Sequence, residues 1–118
     1  MKVLFVDDNQ DITDLFSKFL KAKGYENVTT NDSREALKRI KTEMYDVIFL
    51  DLHMPELSGL EIIQDLEAEN ILKDQNIILF SAQSFTAINT KNLLKKKGVA
   101  SCLEKPLQLS EILAKIAV

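Results

Sequence analysis

An α/β fold, a parallel sheet crossed by helices, follows from two features of this 118-residue sequence. Short apolar or β-branched runs alternate with longer segments of helical period, five times over, and that alternation is the mark of strands joined by crossover helices. The first, third and fourth runs are almost wholly apolar, as strands covered on both faces are.

The strands are expected at Lys2 to Val6, Asn27 to Thr30, Val47 to Leu50, Ile77 to Phe80 and Ala100 to Leu103. Between the first two, Ile12, Leu15, Phe16, Phe19 and Leu20 recur at helical spacing and define one apolar stripe. Ala36, Leu37, Ile40 and Met44 do the same for a second helix, which Asp32 and Glu35 open with the spacing of a capping box. Leu60, Ile63, Leu66 and Glu67 mark the third. Ser84 to Lys97 reads as the fourth, with a polar start and the cationic end Lys95-Lys96-Lys97, which suits the negative end of a helix dipole and is read as a solvated helix end. Gly24 and Gly98 stand where the first and fourth helices should stop, and Leu109 to Val118 supplies the fifth. No repeat, low-complexity stretch or linker interrupts the series, so residues 1–118 are expected to form one domain.

Composition excludes several classes. With 46% hydrophobic and 28% charged residues the chain resembles an ordinary globular protein, and no window approaches the roughly 18 apolar residues of a membrane span. Membrane insertion is not expected. The run Val3-Leu4-Phe5-Val6 is too short for an export signal and is closed by two aspartates. A net charge of −3 provides no field to attract nucleic acid, so direct binding to it is not expected. One cysteine, Cys102, and one histidine, His53, can form neither an internal disulfide nor a structural zinc site, and a cytoplasmic location fits best.

Parallel sheets bind ligands beyond the carboxyl ends of their strands. Here those ends carry Asp7-Asp8, then Asp51, then Ser81, then Glu104-Lys105-Pro106. Three carboxylates within about 5 Å repel by roughly 3 kcal/mol per pair at an effective dielectric near 20, so a cation or protonation must relieve them. An all-oxygen donor set favours Mg²⁺, which keeps several waters and takes one or two carboxylates. Lys105 then offers a fixed positive charge and Ser81 a hydroxyl, and together they make a cradle for phosphoryl oxygens around a carboxylate nucleophile.

These residues resemble the response-regulator receiver domain over essentially the whole chain. Val6-Asp7-Asp8, Asp51-Leu52-His53-Met54-Pro55 with Gly59, Ser81-Ala82 and Lys105-Pro106 occur in order and at the family's spacing. The resemblance implies a doubly wound, five-stranded parallel sheet in the order 2-1-3-4-5, a flavodoxin-like three-layer sandwich with five helices. It implies that Asp51 accepts a phosphoryl group, that Asp8 and Asp51 hold Mg²⁺ directly and Asp7 partly through water, and that the His53 backbone carbonyl completes the protein ligands. Ser81 would follow the phosphoryl group inward, Lys105 would pair with it, and Ala82 would leave room for it. The Lys105-Pro106 bond is expected to be cis and to place the ammonium. The His53 side chain is read as an exposed loop group.

One departure stands out. Three positions before the lysine the family usually carries an aromatic residue that swings inward, and this chain has Cys102. A thiol cannot act as the same plug; its expected state is a buried, inert small residue, with Phe85 as an alternative source of aromatic packing. The implied function is a signalling switch rather than an enzyme with turnover, catalysing only its own phosphorylation and slow dephosphorylation. Its donor would be a sensor histidine kinase or a histidine phosphotransfer protein. With Val118 closing the last helix, output to a protein effector is expected in trans, through the fourth helix, fifth strand and fifth helix, or by passing the group on in a phosphorelay. An aspartyl-phosphate phosphatase would need a second acid where His53 stands.

Overall fold

The computed structural model describes residues 1–82 and 92–116. Its elements run β1 (Lys2–Val6), α1 (Gln10–Ala22), β2 (Glu26–Thr30), α2 (Ser33–Thr42), β3 (Val47–Asp51), α3 (Gly59–Ala68), a 3-10 turn (Leu72–Asp74) and β4 (Ile77–Ser81). A helical turn at 92–94 (α4), β5 (Val99–Glu104) and α5 (Leu109–Ile116) complete it. All five strands pair in parallel in the order β2-β1-β3-β4-β5, with helices on both faces, so the doubly wound, flavodoxin-like architecture is present. Among the described residues no helix is long and apolar enough to cross a membrane. Phe85, the expected start of the fourth helix at Ser84 and the chain end at Val118 lie outside the described residues.

Successive strand residues face opposite sides of a sheet, and this alternation builds two cores. Leu4, Val6, Ile48, Leu50 and Leu79 face α2, α3 and α4 together with Ala36, Ile40, Ile62, Ile63, Leu66 and Leu93. Val3, Phe5, Val47, Phe49, Ile78 and Phe80 face α1 and α5, with Phe16, Leu20, Ile112 and Ile116. Phe5 lies at the centre of that second core, stacked on Phe16 at 4.7 Å between ring centroids and flanked by Phe80 at 5.4 Å and Phe49 at 5.7 Å. Burying an aromatic side chain of this size stabilises by about 2–3 kcal/mol, so the layer is a rigid floor for whatever sits above it.

Several expectations on helix faces need correction. Leu15 is 52% exposed and Leu60 39%, while Thr13 and Ile62 take the inward positions. Met44 lies beyond α2, which ends at Thr42, and is 91% exposed. Glu67 is not part of an apolar stripe but accepts from Lys96 Nζ through both carboxylate oxygens, at 2.8 and 2.7 Å. Lys96 is thereby more than a solvated helix end. Asp32 does cap α2, accepting from the backbone N–H groups of Arg34 and Glu35, but the Glu35 carboxylate is engaged by Arg39 instead of closing a capping box. The reciprocal box belongs to α3, between Ser58 and Glu61. Gly24 and Gly98 both have positive φ, 86° and 105°, and Gly98 also passes so close to the Leu72 carbonyl that no Cβ would fit.

Candidate functional site

Strand alternation places the site. Asp7 follows Phe5 and Val3 in parity, Asp51 follows Phe49 and Val47, and Lys105 follows Leu103, whose side chain packs into the same core. Three charged groups therefore emerge on the same side of the sheet, above the aromatic floor, at the carboxyl ends of β1, β3 and β5. Lys105 Nζ lies 5.4 Å from the centroid of the Phe80 ring. Ser81, the last residue of β4, is buried and accepts at its carbonyl from the Lys105 backbone N–H at 2.7 Å, fixing the end of β5 against β4. The Lys105-Pro106 peptide is cis.

Asp7 is fully buried and Asp51 is 2% exposed, an unusual setting for two carboxylates, and only Asp8 of the acidic set is open to solvent. One oxygen from each of Asp7, Asp8 and Asp51 lies within 4.8 Å of the others. Asp51 Oδ1 accepts from the His53 backbone N–H at 2.9 Å and Oδ2 from Lys105 Nζ at 3.0 Å. Asp7 Oδ1 accepts from the Asn9 backbone N–H at 2.9 Å. Its Oδ2 is 3.1 Å from Lys105 Nζ, an ion-pair distance, yet no donor among the described residues is aligned on it as a hydrogen bond.

The electrostatics follow from this packing. Burial pushes the Asp7 carboxyl above its ordinary value, and the neighbouring Asp51 charge adds to it; the Asn9 N–H and Lys105 only partly oppose the rise. For Lys105 burial pulls down, but the hydrogen bond and charge of Asp51, reinforced by Asp7, outweigh it and hold the ammonium above its ordinary value. Among the described residues, a single ammonium thus stands against three acids, one of them with a buried oxygen lacking a hydrogen bond. An oxygen-only cluster of this kind fits a hard divalent cation, which would neutralise the charge and use that orphaned oxygen.

The loop after β3 is held by contacts that the sequence motif does not explain by itself. Gly59, the first residue of α3, packs so tightly on β3 that an added Cβ would meet the Asp51 carbonyl oxygen at 2.6 Å and Leu52 Cα at 2.8 Å. Its N–H donates to the Leu52 carbonyl at 3.0 Å, so glycine is required there for space. Ser33 Oγ, buried at the start of α2, donates to the Pro55 carbonyl at 3.2 Å and fastens the loop from the other side. Glu56 adopts φ 68° at the turn.

The other residues singled out in the sequence stand outside the cluster, the His53 side chain as expected. The His53 side chain is exposed, and its contact with Asp51 is through the backbone. Ala82 is exposed. Cys102 is half-buried, packs against the core shared with α2 and α3, and has its thiol pushed up by burial, the reverse of what a reactive thiolate needs. Two residues were not foreseen: Asn9, the N-cap of α1, and Asn31, which bonds the backbone of Asp7. Asn9 was legible as a capping type three residues before the first apolar residue of a helical stripe, Ile12.

Comparison with known proteins agrees with this geometry. The family model described as the response regulator receiver domain matches residues 3–117. Among solved structures, the Francisella response regulator 1452 receiver domain is similar, with 30% identity and a TM-score of 0.83, over 98% of this chain and 93% of that one. Response regulator TrrA of Thermotoga maritima, solved in complex with Mg(2+)-BeF, has 31% identity and a TM-score of 0.79, over 98% of this chain and 96% of that one. The alkaline phosphatase synthesis transcriptional regulatory protein PhoP of Bacillus subtilis is 30% identical across 98% of this chain. The chain spans between 6% and 48% of the length of PhoP and three other curated relatives at 30–31% identity. With the family pattern matched from β1 to α5 and the acidic strand ends in place, the chain belongs to the response regulator receiver domain family.

Proposed function

We propose that residues 1–118 form one phosphorylation switch, in which Asp51 takes a phosphoryl group from a phosphohistidine donor, a sensor histidine kinase or a histidine phosphotransfer protein. Receiver domains as a family are signalling switches that pair with such donors. The observation that carries the reading for this chain is the setting of Asp51: buried, hydrogen-bonded on one oxygen by a backbone N–H and on the other by Lys105, and next to two further acids. The carboxylates of Asp7, Asp8 and Asp51 and the backbone carbonyl of His53 are the groups that would hold Mg²⁺, and the Mg²⁺-bound state of the similar TrrA supports this. Bound there, Mg²⁺ supplies positive charge to the acidic cluster and to the phosphoryl oxygens.

The chain's own residues account for the remaining chemistry. An Asp51 oxygen attacks phosphorus, the P–N bond to the donor imidazole breaks, and its electron pair returns to the ring nitrogen, which takes up a proton. Lys105, already at hydrogen-bond distance from Asp51, counters charge on a phosphoryl oxygen, and the Ser81 hydroxyl supplies a further polar partner. The same groups catalyse slow hydrolysis of the aspartyl phosphate, in which water attacks phosphorus, the P–O bond to Asp51 breaks, and inorganic phosphate and the free carboxylate result, with no other substrate turned over. Output acts in trans on a protein effector through α4, β5 and α5, or by passing the group on in a phosphorelay. Cys102 gives β5 no aromatic relay, and Phe85 is the alternative source of aromatic packing in the shift of state. The location is cytoplasmic.

Intact-mass and peptide mass spectrometry after incubation with acetyl phosphate and Mg²⁺ tests this. One phosphate on Asp51, absent from Asp51→Asn, is expected; no added phosphate under conditions that label a control receiver overturns it.

A further inference from the structure

The β1–β2 ladder ends beside the acidic cluster with a side chain in place of a backbone rung. Asp7 N–H donates to the Thr30 carbonyl at 3.2 Å, the last backbone rung between the two strands' continuations. The next rung of a parallel pair would bring a β2-side backbone N–H to the Asp7 carbonyl. Here the chain has already turned: Asp32 N–H donates to the Thr30 hydroxyl at 3.1 Å, and the Asp7 carbonyl receives the side-chain amide of Asn31 at 2.8 Å instead. The same Asn31 nitrogen donates to the Thr13 hydroxyl at 3.0 Å, and that hydroxyl donates to the Gln10 carbonyl at 3.1 Å. A carbonyl only accepts, so the amide nitrogen is the atom that must face it.

From this arrangement we propose that Asn31 is a positioning residue for the metal-binding acids: its amide replaces a missing strand rung and locks the Asp7-Asp8 peptide, through Thr13, to the first turn of α1. The inference rests on the Mg²⁺ reading above. The Asp7 carbonyl belongs to the peptide that carries Asp8, so pinning it sets the direction from which the exposed Asp8 carboxylate approaches Asp7 and Asp51. Thr13, fully buried on α1, is explained by the same bracket. Losing an outer partner that orients metal ligands typically weakens metal binding by about 10–100-fold.

Asn27 provides an internal control. It also ties β2 to α1, with its Oδ1 accepting from Ser17 Oγ at 3.0 Å and its Nδ2 donating to the Ser17 carbonyl at 3.4 Å, but it lies toward the opposite end of the strand. Isothermal titration of the full chain with Mg²⁺ alone should show a dissociation constant raised about tenfold in Asn31→Ala, and raised further in Asn31→Asp, where an oxygen would face the Asp7 carbonyl. Asn27→Ala should bind Mg²⁺ as the wild type does while losing comparable thermal stability. Thr13→Val, which removes one end of the bracket and leaves the Asp7 bond, should give an intermediate value, and it serves if Asn31→Ala fails to fold. An unchanged constant in the Asn31 variants, or in Thr13→Val where that variant stands in for them, overturns the inference, as does an equal rise in Asn27→Ala. Absence of Mg²⁺ uptake by the wild type overturns both the inference and the metal reading beneath it, and so separates the two failures.

Discussion

Gly59→Ala offers a sharp test of how the site is built, because the obstruction is backbone and cannot swing away. The added Cβ would sit 2.6 Å from the Asp51 carbonyl oxygen, about 0.8 Å short of ordinary contact at 3.4 Å. Gly59 lies in the helical region rather than at positive φ, so the cost is steric and not conformational. Either the start of α3 retreats or the Asp51 carbonyl moves by most of that distance. Overpacking of this kind costs about 1–3 kcal/mol, and a retreat also breaks the 3.0 Å bond from Gly59 N–H to the Leu52 carbonyl, worth about 1 kcal/mol. A loss of about 2–4 kcal/mol in urea unfolding is expected. Because the displaced residue is the proposed phosphoryl acceptor, phosphorylation by acetyl phosphate should slow by roughly 10–100-fold in the folded variant. Gly24→Ala is the counterpart: it meets nothing within 4 Å but sits at φ 86° at the far end of α1, so it should cost about 1 kcal/mol and leave the rate unchanged. A Gly59→Ala variant within about 0.5 kcal/mol of wild type and equally fast would refute the reasoning.

Other perturbations follow from the same charges. Without divalent ions, Asp7→Asn should stabilise the fold by on the order of 1 kcal/mol near neutral pH, since burial makes the Asp7 carboxylate costly there, and added Mg²⁺ should raise the melting temperature of the wild type but not of the variant; thermal melts with and without Mg²⁺ read both effects. Tyr45 is pushed up to about 12 from its ordinary value of 10.0, by burial and by its bond to Glu43. A raised value means that the stability it contributes is complete below about 10 and is lost as pH rises through about 12. Urea midpoints measured across that window should fall more steeply in the wild type than in Tyr45→Phe; parallel curves would contradict the assignment.

How much of this was legible in the sequence depends on whether a signal is local. β1, β3 and β4 are runs of apolar residues ended by an acid or serine, so both the strands and the site residues at their tips could be read directly. Helix faces were less secure: Leu15 and Leu60 fit the apolar stripes, yet the buried Thr13 and Ile62 set the actual registers, and a buried threonine is invisible to a hydrophobicity pattern. Lys96 and Glu67 are 29 residues apart, and nothing in either neighbourhood announces their pairing. Asn31 follows β2 in the position of an ordinary turn residue; its bond to Asp7 exists only because two distant segments become adjacent strands. Gly59 was recognisable as part of a spacing, but the reason for it is the approach of α3 to the backbone of β3.

The central claim is that Asp51 is the phosphoryl acceptor in this cluster. Transfer of labelled phosphate from a phosphorylated histidine phosphotransfer protein, followed by peptide mapping, tests it most directly. The account predicts one phosphate per chain, on Asp51, dependent on Mg²⁺ and abolished in Asp51→Asn. Label on another residue, or transfer to Asp51→Asn at the wild-type rate, would contradict it.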